Sequence, residues 1–184
     1  AGENAEEQAL FDSVVAVGEE LCPALGIAIP VGKDSLSMRT KWQSNGGEQS
    51  VTSPVSLIVS AFAPVNDVRG TLTPEISLSV ERCLVLLDFG KQRLGGSCLA
   101  QVYGALGTVP PDVDDPAAFR ELLDFLLEQK RAGRVHAMHD RSDGGLITTL
   151  LEMSFAARTG MDVLVPANVE PVPFLFNEEI GVVI

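Results

Sequence analysis

Hydrophobic positions recur at helical spacing near the start of the chain. Leu10, Val14, Val17 and Leu21 fall at i, i+4, i+7 and i+11, which predicts an amphipathic helix over 5–22 that ends at Pro23 and Gly26. A short strand, IAIP, then leads into the turn GKDS. The polar run WQSNGGEQSVTSP over 42–54 reads as a hairpin tip or a domain connector. From Pro54 the pattern turns apolar. SLIVSAFAPV over 56–65 predicts a strand buried on at least one face, and CLVLLDFG over 83–90 a second buried strand closed by Gly90.

The second half alternates helix and strand signals. A helix begins around Gly95-Gly96 and carries Leu99, Val102 or Tyr103, and Leu106. Asp115-Pro116 opens a longer helix, with Asp as N-cap and Pro in the first turn. Its predicted buried stripe is Phe119, Leu122, Leu123 and Leu126. VHAMHD over 135–140 is a short strand, SDGG opens the next helix, and MDVLV over 161–165 is another strand. FNEEIGVVI ends in a final apolar strand. This order predicts an α+β fold, a mixed sheet with helices packed on one face, rather than a doubly wound parallel one. The chain stops inside an apolar strand, so the expectation is a piece of a longer polypeptide. The strand at 180–184 should then lie at a sheet edge or pair with another copy.

Composition narrows the function. The chain has 184 residues, 46% of them hydrophobic, and a formal net charge of -12. That predicts a packed core and disfavours direct nucleic-acid binding, which needs clustered cations. An acidic protein can still hold a nucleotide when a divalent cation bridges its carboxylates to the phosphates. Cys22, Cys83 and Cys98 form no C-x-x-C pair and make a poor disulfide framework, which suggests a reducing, cytoplasmic setting. No apolar run reaches the length of a membrane span.

The candidate chemistry concentrates in HDRSDGG, 139–145. Asp140 and Asp143 offer hard oxygen ligands suited to Mg²⁺, and the Ser142 hydroxyl can face a phosphate oxygen. Gly144 and Gly145 would let a ligand approach the positive end of a helix. The same residues also make good turn and N-cap chemistry, and both readings stand on spacing alone. His136 and His139 at i, i+3 in a strand point to opposite faces, which disfavours a paired metal site. GKDSLSM fails the phosphate-loop pattern, because Gly-Lys is followed by Asp. FNEEIG reads first as a polar turn before a strand.

Four blocks occur in order: ELCPALGIAIPVGKDSLSM, TSPVSLIVSAFAPVNDVRGTLTP, HDRSDGGLITTLLEMSFAARTG and LFNEEIGVVI. Together they resemble the second half of the synthetase region of the phosphoribosylformylglycinamidine synthase family, in its large, single-chain, glutamine-dependent type. That family lies in the aminoimidazole ribonucleotide synthetase superfamily. The resemblance implies that 1–53 is the tail of an N-terminal synthetase-like subdomain and 54–184 a C-terminal α/β subdomain, truncated at its end. It implies a cytoplasmic, ATP- and Mg²⁺-dependent ligase of purine biosynthesis, which converts formylglycinamide ribonucleotide, glutamine and ATP to the amidine. Ammonia would come from a glutaminase domain, and the rest of the site from the other synthetase half of the same polypeptide. This piece alone would be inactive.

On the matching positions, Asp140 is implied as a metal ligand, Ser142 as a nucleotide contact and Asp143 as a second metal ligand. Lys33, Asp34 and Ser35 resemble a loop near a substrate or nucleotide. None of the residues here is implied to be catalytic, and neither nucleic acid nor membrane is an expected partner. The competing expectation is a catalytically silent structural or interaction domain, whose 140–145 turn caps a helix or holds an auxiliary nucleotide. A kinase of thiamine phosphate or selenium chemistry shares the D-x-S-D-G turn, but IPVGKDSLSM and TSPVSLIVSAFAPV argue against it.

Overall fold

The structure is a computed structural model that describes residues 4–33, 38–78 and 82–184. It divides into two compact units, 1–65 and 66–184. The expected boundary lay earlier, after residue 53. In the first unit the Val55 N–H donates to the Glu6 carboxylate at 2.6 Å, which ties the 54–65 segment to the first helix.

The first unit starts with helix α1 (Asn4–Val14), which continues through a π-helical stretch, Val15–Leu21, into α2 (Cys22–Leu25). The helix therefore does not end at Pro23, which sits in the first turn of α2. Gly26 does end it, in a left-handed conformation at φ 70°. The wider π turn shifts the register of the apolar stripe. Leu10, Val17 and Leu21 are half-buried, whereas Val14 faces solvent. Strands β1 (Arg39–Ser44) and β2 (Gly47–Thr52) form an antiparallel hairpin across Asn45-Gly46. The positive φ of this hairpin, 111°, falls on Gly47 at the start of β2, a conformation that favours glycine. The expected strands at IAIP and SLIVSAFAPV do not form. Phe62 is 94% exposed and Ile58 90%, because β1 and β2 pair with each other and no described strand pairs with 56–65.

The second unit is built on a three-stranded sheet in the order β3 (Leu86–Asp88), β5 (Gly181–Val183), β4 (His139–Asp140). Every described pairing is antiparallel, where a mixed sheet was expected; the α+β class holds. The expectation for 180–184 is overturned. This strand is not an edge: Leu86 pairs with Val183 on one side and His139 with Val183 on the other. Both rows of its backbone groups are satisfied within the chain, and Gly181, Val182 and Val183 are buried.

Among the described residues the unit also has four α-helices: α3 (Cys98–Val102), α4 (Pro116–Arg131), α5 (Gly145–Ala157), which packs on β4, and α6 (Pro171–Phe176), which packs on α5. Asp115 caps α4 as expected, its Oδ1 accepting from the Ala117 and Ala118 N–H groups at 3.0 Å each. Leu122 is the buried anchor of α4, while Leu123 is exposed, so the inward stripe is narrower than predicted. Helix α5 supplies the core. Leu146, Leu150 and Met153, at i, i+4 and i+7, pack with Ala137 and Val183. MDVLV over 161–165 is irregular rather than a strand.

Ionic contacts close the sheet ends. Glu179, 1% exposed, accepts from the Lys91 and Arg93 N–H groups and from Arg93 Nε. Arg93 also meets Asp114 at 2.7 Å. Removing one partner of a buried pair leaves an uncompensated charge. Arg93→Met is expected to destabilise the second unit, read as a lower urea midpoint by far-ultraviolet circular dichroism.

Candidate functional site

The loop joining β4 to α5 carries Asp140, Ser142 and Asp143. Side chains alternate across an extended chain. Arg141 accordingly points inward while Asp140 and Ser142 face outward and are exposed. Arg141 Nη2 donates to Asp88 at 2.6 Å and to the Ile180 carbonyl at 3.0 Å, and its Nε donates to the Glu179 carbonyl at 2.7 Å. Its backbone N–H donates to the Gly181 carbonyl at 2.8 Å. The loop is thus anchored to β3 and β5 from beneath, and Nη1 is the one buried side-chain polar atom among the described residues without a hydrogen bond.

Asp140 is held at several points. It pairs with Val182 in the sheet, and its carbonyl accepts from the buried Thr149 hydroxyl at 3.1 Å. Its carboxylate is 76% exposed and lies 3.3 Å from His139 Nδ1. Neither Asp140 nor Asp143 pairs with a Lys or Arg among the described residues. Two exposed carboxylates and an exposed hydroxyl on one loop are oxygen donors of the kind that Mg²⁺ takes.

The two glycines have a role different from the expected one. Gly144 and Gly145 adopt φ 85° and 75°, a region other residues rarely enter. A Cβ on Gly145 would lie 2.7 Å from the Asn177 carbonyl oxygen, so the space beside it belongs to the 175–177 backbone and not to a ligand. The N–H of Gly144, expected to greet a phosphate, already donates to Glu178 Oε1 at 2.8 Å. The same oxygen accepts from the Cys98 N–H at 2.7 Å. Glu178 is therefore a built-in anion at this turn. FNEEIG, read as a polar turn, held that signal in its first carboxylate, but sequence could not show which backbone groups it reaches.

One ligand atom each from Cys98, Asp143 and Glu178 lies within 4.8 Å of the others. The Glu178 hydrogen bond, then burial, then the Glu178 and Asp143 charges push the Cys98 thiol above its usual pKa. Lys33 is exposed and belongs to the first unit. Asp34 and Ser35 lie outside the described residues. His136 is exposed and His139 is half-buried.

Two outcomes follow from this geometry. Gly145→Ala adds strain at positive φ to a clash with backbone, so stability should fall by about 2–4 kcal/mol in urea unfolding. For Cys98, in a chain carrying Cys22→Ser and Cys83→Ser, the pH profile of iodoacetamide alkylation should have its midpoint above that of a free cysteine. Glu178→Gln removes the charge that holds the proton, so the midpoint should move down.

Comparison with known families followed the same division. Residues 1–64 match the FGAR-AT PurM_N-like domain. Residues 82–184 match the C-terminal domain of AIR synthase related protein, a match over more than half of the chain that includes β3, α5, the 140–145 loop and β5. No helix among the described residues is long and apolar enough to cross a membrane. With these two domains in this order, the chain belongs to the AIR synthase superfamily, on the side of the FGAR amidotransferases.

Proposed function

We propose that this chain is part of the ATP-dependent ligase that converts formylglycinamide ribonucleotide, glutamine and ATP to formylglycinamidine ribonucleotide. Both matched domains come from purine-biosynthetic synthetase families, which supports a synthetase role. The observation that carries the site is the exposure of Asp140, Ser142 and Asp143 on one loop while Arg141 anchors it from below. In this reading Asp140 and Asp143 hold Mg²⁺, and Ser142 donates its hydroxyl hydrogen to a phosphate oxygen of ATP or ADP. Bound Mg²⁺ supplies charge neutralisation at the phosphates. The Lys33 segment is read, from the family resemblance, as lying near substrate or nucleotide. Ammonia comes from a glutaminase domain, and the other synthetase half completes the site.

A second reading has its own observation. Glu178 already satisfies the Gly144 N–H, which favours a turn that is structural, or that holds an auxiliary nucleotide away from turnover.

Calorimetric titration of the chain with ADP, in MgCl₂ and in EDTA, separates the two. The nucleotide reading expects affinity that rises with Mg²⁺, and a loss of that gain by about 10–100-fold in Asp140→Ala. The structural reading expects no Mg²⁺ effect; the expected side-chain cap is not formed, since α5 starts at Gly144 with no side-chain cap hydrogen bond, so Asp140→Ala should leave stability nearly unchanged.

A further inference from the structure

We infer that Glu152 and His139 are positioning residues for Asp140, a role that rests on the reading of Asp140 as a Mg²⁺ ligand. Glu152 Oε2 lies 2.5 Å from His139 Nε2, and His139 Nδ1 lies 3.3 Å from Asp140 Oδ1. The imidazole spans two carboxylates, one nitrogen to each. It is 19% exposed, against 51% for the Glu152 side chain and 76% for that of Asp140. The most sheltered member of the chain therefore holds the most exposed one.

Helix α5 anchors this arrangement. Glu152 lies one residue before Met153, which is fully buried, and two after the buried Leu150. Three residues before Glu152, Thr149 binds the Asp140 carbonyl. One helix thus grips Asp140 twice: its backbone through Thr149, and its carboxylate through Glu152 and His139. An exposed Asp held only by solvent would lose rotamer freedom on taking a metal, and that loss would weaken binding. A carboxylate oriented beforehand avoids most of it, which is why outer partners of metal ligands are worth about 10–100-fold in affinity. The arrangement leaves Asp140 Oδ2 without a side-chain partner among the described residues, with Oδ1 turned toward His139 Nδ1.

A structural role alone would predict something else. Glu152 is half-exposed and its contact lies at the surface, so truncating it should leave the core of α5 intact. Its effect should then appear in the metal-dependent part of binding and not in stability.

The test is ADP titration of the intact chain in MgCl₂ and in EDTA, with thermal melting of each variant. Glu152→Ala and His139→Ala are expected to reduce the Mg²⁺-dependent gain in affinity about tenfold. Affinity in EDTA should stay at the value of the unsubstituted chain, and so should the melting temperature of Glu152→Ala. Glu152→Gln, which keeps an acceptor for the Nε2–H, should retain most of the gain. A full gain in Glu152→Ala would overturn the inference, as would a loss equal in MgCl₂ and EDTA. An unsubstituted chain whose ADP affinity ignores Mg²⁺ would overturn the metal-site reading itself, and the positioning role with it.

Discussion

The buried guanidinium of Arg141 organises the second unit. It joins Asp88 at the end of β3 to the carbonyls of Glu179 and Ile180 just before β5, while its own backbone continues β4. Three strands that are short and far apart in sequence are thus locked at one end by a single planar cation. Hydrogen bonds to charged groups contribute about 1.5–3 kcal/mol each, well above the neutral average. That matters in a sheet whose β4 ladder is only two residues long. A consequence reaches the surface: with Arg141 fixed inward, the pleat turns Asp140 and Ser142 outward together.

Adjacent to it, Glu178 and Glu179 divide the work of one sequence position pair. Glu179 points into the protein and is matched by Arg93 and two backbone N–H groups. Glu178 reaches the Gly144 and Cys98 N–H groups, and so joins the candidate loop to the start of α3. The charge that a phosphate would bring to a helix entrance is already present in the chain. A nucleotide at this loop would rely on Asp140, Ser142 and a cation more than on the Gly144 N–H, which moves the emphasis from backbone cradle to carboxylate chemistry.

The first unit rests on different physics. None of its described residues is fully buried, and its order comes from local hydrogen bonds: the helical series with its π stretch and the Asn-Gly hairpin. A tie across a wide sequence interval joins the Glu6 carboxylate to the Val55 N–H. The second unit instead draws on contacts such as Arg141 to Asp88, 53 residues apart.

That contrast explains what could be read from sequence. Asp115-Pro116 as a helix start, Gly26 as a helix stop, a hairpin tip or connector within 42–54 and a helix opening at SDGG were legible. Each depends on residues within one or two turns of each other. The clustering of Asp140, Ser142 and Asp143 was legible for the same reason. Tertiary structure alone decided the rest. An apolar run such as SLIVSAFAPV or GVVI shows how greasy a segment is, not whether a partner strand lies beside it. So no described strand pairs with the first, and the second became the central strand. Arg141, Glu178 and Glu152 acquired their roles through partners 13 to 80 residues away. Hydrophobic periodicity records which face of an element is apolar; it carries no record of which distant group will meet a charge on the other face.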